Sequence, residues 1–245
     1  MAERVVAALA ATPKPCVVHF VGDAPRPADE ARGLYFAHSL ANAARLACHL
    51  AGLPGVPEPY PDPERFAALA TRLPKGSALK ALFCGGTTGQ EALARLVDPR
   101  LPVRSNLHKK GVLRVDGIEP VPGNVLLDLG DDVFTRGRPH PMIEPALRNE
   151  RLAIEMADPA AMLLLFDCVI GYGSHPDPAG VLAAGVEQAR VQRPGLLAIA
   201  SVTGTPEDPQ DYHAQVRTLE AAGILVEPDN RLAAALAAAV LGGSR

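Results

Sequence analysis

Short apolar runs that do not alternate constrain this chain most. Cys16–Val21, Leu79–Cys84, Val125–Leu129, Met162–Ile170, Leu196–Val202 and Ile224–Val226 are each nearly continuous in Val, Leu, Ile, Ala and Phe. A strand with one wet face alternates polar and apolar residues, whereas a strand covered on both faces does not. Helix-period segments separate the runs. The pattern predicts an α/β fold, a doubly wound parallel sheet with helices on both faces.

The order of elements repeats. The C-terminal third reads helix (Val181–Val191), strand (Leu196–Val202), loop Thr203-Gly204-Thr205, helix (Asp211–Ala222), strand (Ile224–Val226), helix (Arg231–Leu241). The first fifty residues read the same way: helix Glu3–Ala11, strand Cys16–Val21, loop Gly22-Asp23-Ala24, short helix Pro27–Arg32, strand Leu34–Phe36, helix Ser39–Leu50. Residues 1–53 therefore look like the second half of a domain whose complete, five-stranded copy is 76–245, with 54–75 as linker. Two strands cannot form a doubly wound sheet with its own core. Another copy, a partner chain or the rest of a longer chain is expected to complete the half-domain.

Composition narrows the function. The 245 residues carry a net charge of -3, 4% aromatics and no Trp, which argues against nucleic acid and anionic membranes as partners. Four scattered cysteines with no CxxC pair fit a reduced, cytoplasmic protein, and no apolar run is long enough to cross a membrane. No histidine pair has zinc spacing, so no metal site is expected.

Chemistry should sit in loops leaving the strand ends. The stretch Asp128–Pro141 packs Asp131, Asp132, Arg136, Arg138 and His140 between a strand and a helix that should start at about Pro141. The arginines could clamp a carboxylate or phosphate, His140 could move a proton, and Asp131 could orient an arginine or accept a proton. The bland alternative is a loop tied by its own ion pairs. On the helix, Ile143, Ala146, Leu147, Ala153, Ile154 and Ala157 share one arc, with Arg148 and Arg151 mostly off it. Arg138 is therefore expected to matter for an anion and Arg148 to matter little. Gly85, Gly86, Thr87, Thr88 and Gly89 form either an anion cradle at a helix N-terminus or a plain tight turn. Gly171, Gly173, Ser174 and His175 repeat the glycine–histidine–proline pattern, and Thr203–Pro209 reads as a helix start capped by Asp208. Cys84 beside the glycine loop would be a nucleophile only with a depressed pKa.

The runs DLGDDVFTRGRPHPMIEPALRNERL, LLLFDCVIGYGSHPDPAG and SVTGTPEDPQ resemble the FdrA family, proteins related to both subunits of succinyl-CoA synthetase. The resemblance spans residues ~5 to 240 and is densest over 124–210. It implies tandem flavodoxin-like ligase domains behind a Rossmann CoA-binding domain. This chain would lack the latter and half of the first ligase domain. CoA or a nucleotide would then enter only through that part or a partner. It further implies a ligase or transferase subunit handling acyl or carbamoyl phosphate and a small carboxylate such as oxamate or oxalurate, in purine-ureide catabolism. The chain departs from the synthetases at the phosphohistidine, where it reads TGTPEDPQDYHAQ, and at the E-I-G-G turn, where it has Val169-Ile170-Gly171-Tyr172-Gly173. A phosphohistidine relay is not supported. The rival expectation is a non-catalytic interaction subunit.

Overall fold

The computed structural model describes residues 2–21, 26–55, 59, 61–98 and 100–243, so the loop Gly22-Asp23-Ala24 lies outside the described residues. The chain divides into two compact units, Met1–Tyr60 and Pro61–Arg245.

The first unit runs α1 (Ala2–Leu9), β1 (Cys16–Val18), a single 3-10 turn (Glu30–Arg32), β2 (Leu34–Phe36) and α2 (Leu40–Leu50). β1 and β2 pair in parallel, with Cys16 opposite Leu34 and Val18 opposite Phe36. Ser39 caps α2 by accepting the Asn42 N–H at 3.0 Å. Its described apolar core is only Val18, Leu34 and Ala37, and α1 buries none of its residues.

The second unit runs α3 (Pro63–Ala70), β3 (Ala78–Phe83), α4 (Gly86–Leu96), β4 (Val103–Ser105), β5 (Leu113–Arg114), β6 (Asn124–Asp128), α5 (Asp132–Thr135), α6 (Ala146–Glu155), β7 (Ala161–Val169), α7 (Pro178–Gln192), β8 (Leu197–Thr203), α8 (Tyr212–Ala221), β9 (Leu225–Glu227) and α9 (Asn230–Gly243). Its parallel sheet has seven strands in the order β5-β4-β6-β3-β7-β8-β9. The two beyond the expected five, β4 and β5, span three and two residues and include Arg104 and Arg114. They are too short and too polar to read as apolar runs. The first unit's succession of elements matches α7-β8-α8-β9-α9, with one 3-10 turn in place of α8.

Successive strand residues feed opposite layers, which is why the runs are continuous. Val125, Leu127, Leu164 and Phe166 pack with Leu147, Leu152, Leu182 and Leu219 from α6, α7 and α8. Leu126, Leu163 and Leu165 pack with Phe66, Leu93, Leu236 and Val240 from α3, α4 and α9. Residues 61–75, expected as linker, thus belong to this unit. Asp62 caps α3 by accepting the Glu64 and Arg65 N–H groups at 3.1 Å, and Phe66, Leu69 and Leu73 enter the core.

Helix α6 corrects the expected register. It starts at Ala146, with Pro145 at its N-cap, not at Pro141. Its buried face is Leu147, Arg148, Arg151, Leu152 and Glu155, while Ile143 and Ile154 are 57% and 43% exposed. Hydropathy alone misplaces this face because its three charged residues have partners inside the unit. Arg151 donates to Glu155, to the Ile118 carbonyl and, at 2.8 Å, to that of Glu119. Glu155 in turn stands 3.3 Å from Lys80, which is fully buried in the central strand. Lys80 Nζ also donates to Val121 O, Gly123 O and Asp158 Oδ2 at 2.6, 3.0 and 2.9 Å. This cluster ties the loop before β6 to the N-terminal edge of the sheet.

Candidate functional site

The opposite edge, where β6, β3 and β7 end, gathers a second set of polar groups. Asp167 in β7 is fully buried. Its carboxylate accepts the N–H groups of Cys84 and Gly85, each at 2.9 Å, and the Thr88 hydroxyl at 2.8 Å. Arg148 reaches over from α6. It donates to the Asp167 carbonyl at 2.6 Å, to Cys84 Sγ at 2.8 Å and to Asp167 Oδ1 at 3.4 Å. The residue expected to matter little is therefore the buried cation of this edge.

The glycine loop is thus partly an anion cradle for the protein's own carboxylate. Neither Gly85 nor Gly86 has a positive φ, so both are required for space. A Cβ on Gly85 would stand 2.6 Å from Thr88 Oγ1 and 3.1 Å from Asp167 Oδ2, and one on Gly86 would stand 2.8 Å from Asp128 Oδ2. Gly89 packs inside, against Leu107 and Leu126, and Thr87 is exposed. No side chain caps α4. Its first turn opens beside Asp128, a residue of the charged stretch that sequence reasoning passed over in favour of Asp131.

Asp131 instead caps α5, accepting the Val133 N–H at 3.0 Å, which occupies it structurally. Arg136 is exposed at the C-cap of that turn. Arg138 is exposed and held by Glu150 at 2.7 and 2.9 Å, the self-tied ion pair that was the alternative reading. His140 does reach the edge. Its Nε2 fills the space over Gly130, where a Cβ would also meet Cys84 O at 3.1 Å and Asp128 Oδ1 at 3.2 Å.

The next loop braces this one. The His175 N–H donates to Met142 O at 2.8 Å, and the His175 ring Nδ1 accepts the Asp177 N–H at 3.0 Å. Buried Gln210 clasps the loop by accepting the Gly171 N–H at 3.1 Å and donating to Gly171 O at 2.9 Å. Gly171 and Gly173 adopt φ of 135° and 85°, a conformation that favours glycine. The Ser174 hydroxyl is buried without a hydrogen-bond partner among the described residues. The α8 cap is Asp211, which accepts the Ala214 N–H at 3.1 Å, and Asp208 accepts the Thr205 N–H at 2.6 Å one turn earlier.

Electrostatics separates the groups. Burial pushes the Cys84 thiol well above its usual range, against the pull of Arg148 and with Asp167 adding to the rise. Cys84 is therefore a buried neutral thiol and not an activated nucleophile. Burial also raises Asp128, and Asp167 and Asp131 add to it, while the Gly130 N–H and His140 oppose it. A small cavity of about 10 Å³, room for one water, lies between Cys84, Arg148, Met142 and Pro178.

The family model described as CoA-ligase matches residues 82–240. The uncharacterized protein YahF of Escherichia coli (strain K12) is 33% identical over 238 residues, covering 92% of this chain and 45% of that protein. The chain thus spans less than half the length of that relative. Among solved structures, PH0766 from Pyrococcus horikoshii OT3 aligns at TM-score 0.46 and 14% identity, over 98% of this chain and 55% of that one. The dinucleotide-forming acetyl-coenzyme A synthetase 1 of Ca. Korarchaeum cryptofilum, in complex with phosphate and ADP, aligns at TM-score 0.44 and 13% identity, over 98% and 56%. No helix among the described residues is long and apolar enough to cross a membrane.

Proposed function

The chain belongs to the CoA-ligase family, and from that premise we propose that it is a cytoplasmic, FdrA-type subunit of an acyl- or carbamoyl-transferring ligase. The crevice at the first turn of α4 takes the phosphoryl or carboxylate end of a small substrate, with carbamoyl phosphate, oxamate and oxalurate as the chemical class. The carrying observation is the uncapped start of α4 opening beside Asp128 and His140, at the strand ends where open parallel sheets place ligands. Free N–H groups at a helix start favour an oxyanion by about 0.3–1 kcal/mol at low salt.

The donor set fits a small oxyanion. Arg148 is taken by Asp167 and Cys84, and Arg138 by Glu150, so neither is left to neutralise the phosphates of coenzyme A or a nucleotide. Those groups enter, on this reading, with another part of the assembly. A second reading, an interaction subunit without chemistry, is favoured by the first unit. Its two three-residue strands and slight core leave it to be completed by a second copy or a partner chain.

Calorimetric titration of the assembled protein with phosphate, carbamoyl phosphate and oxamate tests the substrate reading. Binding of at least one supports it. Silence from all three, together with a complex by light scattering, leaves the interaction reading in its place.

A further inference from the structure

Asp128 is built into its position more firmly than a surface carboxylate needs to be. Asn106, 5% exposed, clasps its backbone from the end of β4. The Asn106 amide donates to Asp128 O at 2.9 Å, and its carbonyl accepts the Asp128 N–H at 2.9 Å. One carboxylate oxygen accepts the Gly130 N–H at 3.0 Å, and the other faces the Cα of Gly86 at the start of α4. Gly130 has no positive φ, so its backbone would accept a side chain. The absent Cβ instead makes room for the imidazole of His140 beside Asp128 Oδ1. The Met142 N–H donates to His140 Nδ1 at 3.2 Å. With Nδ1 accepting, Nε2, the nitrogen facing Gly130, is the ring's N–H donor.

We propose that Asp128 is the general acid–base of this edge, that His140 serves beside it as an N–H donor, and that Asn106 is the positioning residue. The assignment rests on the crevice being a substrate site. The carboxyl O–H bond breaks as a substrate O–H bond forms. The carboxylate left behind keeps the Gly130 N–H, and the reverse transfer restores the acid. No other reactant is consumed. The charged and titratable groups facing Asp128 are Asp167 from β7, Asp131 from the α5 cap and His140 from the loop before α6. The two acids oppose its ionisation and His140 favours it. Burial acts with the acids, so the carboxyl keeps its proton to higher pH than an ordinary aspartate does.

The test uses the full chain with 13C-labelled carboxyl groups, followed by NMR, and calorimetry with inorganic phosphate. The Asp128 midpoint should lie above the ordinary value of about 3.9. It should rise in His140→Phe and fall in Asp131→Asn. Asn106→Ala should lower it, because the unclasped carboxyl gains water and burial is the largest cause of the rise. Phosphate affinity should drop about tenfold as pH rises through that midpoint, one pKa unit of coupling. Asp128→Asn should bind phosphate with no such pH dependence. An ordinary midpoint, or a pH dependence that survives Asp128→Asn, overturns the assignment while leaving the substrate reading intact. A raised midpoint with no phosphate bound by either protein overturns the substrate reading and, with it, any catalytic role for Asp128.

Discussion

Helix α6 carries two buried arginines one turn apart, and they end in different kinds of place. Arg151 closes a cluster at the N-terminal edge of the sheet with Glu155, Lys80 and Asp158, two cations against two acids, with the remaining Lys80 and Arg151 bonds going to carbonyls of residues 118–123. Arg148 ends at the C-terminal edge, where Asp167 holds the turn into α4 and a second acid, Asp128, has no Lys or Arg ion pair among the described residues. Both clusters cost desolvation. The first is closed and its chemistry is spent on holding strands to a loop. The second is open toward the strand ends, and one of its carboxyls is raised. Burial of charge therefore marks architecture in one case and a candidate site in the other, and the neighbours tell them apart.

The largest effect should come from breaking the closed cluster. Lys80→Met leaves Glu155 and Asp158 facing each other without their shared cation. Removing one partner of a buried pair costs about 3–5 kcal/mol. Urea unfolding should show that loss with an unchanged m-value. A cost below about 1 kcal/mol would mean that the cluster is not the fastener described here.

Arg148→Ala comes next. It removes the one guanidinium that reaches Asp167 among the described residues, but Asp167 keeps two N–H groups and the Thr88 hydroxyl, so the expected cost is about 2–3 kcal/mol. Arg148→Lys should recover part of it, since a lysine lacks the fork that reaches both Asp167 and Cys84. Thermal unfolding of the two variants measures the difference. Equal stability of Arg148→Ala and the unaltered chain would return Arg148 to the surface role its place off the apolar arc implied.

That reversal shows what a sequence exposes and what it hides. The sheet was legible because short continuous runs such as Leu163–Phe166, separated by helix-period segments, read as strands buried on both faces. β4 and β5 were not, because three and two residues carry no period. The charged loop does reach the C-terminal edge of the sheet, through His140 and Asp128. Its other members did not follow. Asp131 and Asp128 are three residues apart and chemically identical in sequence. Only the fold shows one capping α5 and the other pressed between α4 and His140. Arg148 was ranked below Arg138 for lying off the apolar arc, and hydropathy is blind to a buried carboxylate 19 residues further along the chain at Asp167.

The two edges should also answer pH with opposite signs. Burial alone would raise Asp158, but Lys80 and the N–H groups of Ala160 and Gly123 outweigh it and hold the carboxyl below its usual range. A depressed folded pKa gives stability that is present above the unfolded pKa and lost as pH falls through the folded one. Asp158→Asn should therefore be less stable than the unaltered chain at neutral pH, with the gap closing in acid. Asp128 is raised, so its ionisation weakens the fold as pH climbs from the ordinary carboxylate value through the folded one. Asp128→Asn should be as stable as the parent in acid and more stable at neutral pH. Unfolding free energies measured across that range decide both. A loss of stability at neutral pH in Asp128→Asn would place Asp128 with the closed cluster.

The smallest effect is expected at Arg138. It has the sequence position of a ligand-binding residue and the surroundings of a surface ion pair. Glu150 takes both of its terminal nitrogens, and both side chains are open to water, at 40% and 55% exposure. Pairs of this kind contribute little because water already solvates each charge and two long side chains must be ordered to meet. Arg138→Ala should leave the urea midpoint and the affinity for phosphate within measurement error, and raising the salt should not separate it from the parent. An effect on phosphate affinity without one on stability would mean that Arg138 leaves Glu150 when an anion binds. The charged loop would then take part in binding, and the contrast with the closed cluster would extend from buried groups to the surface.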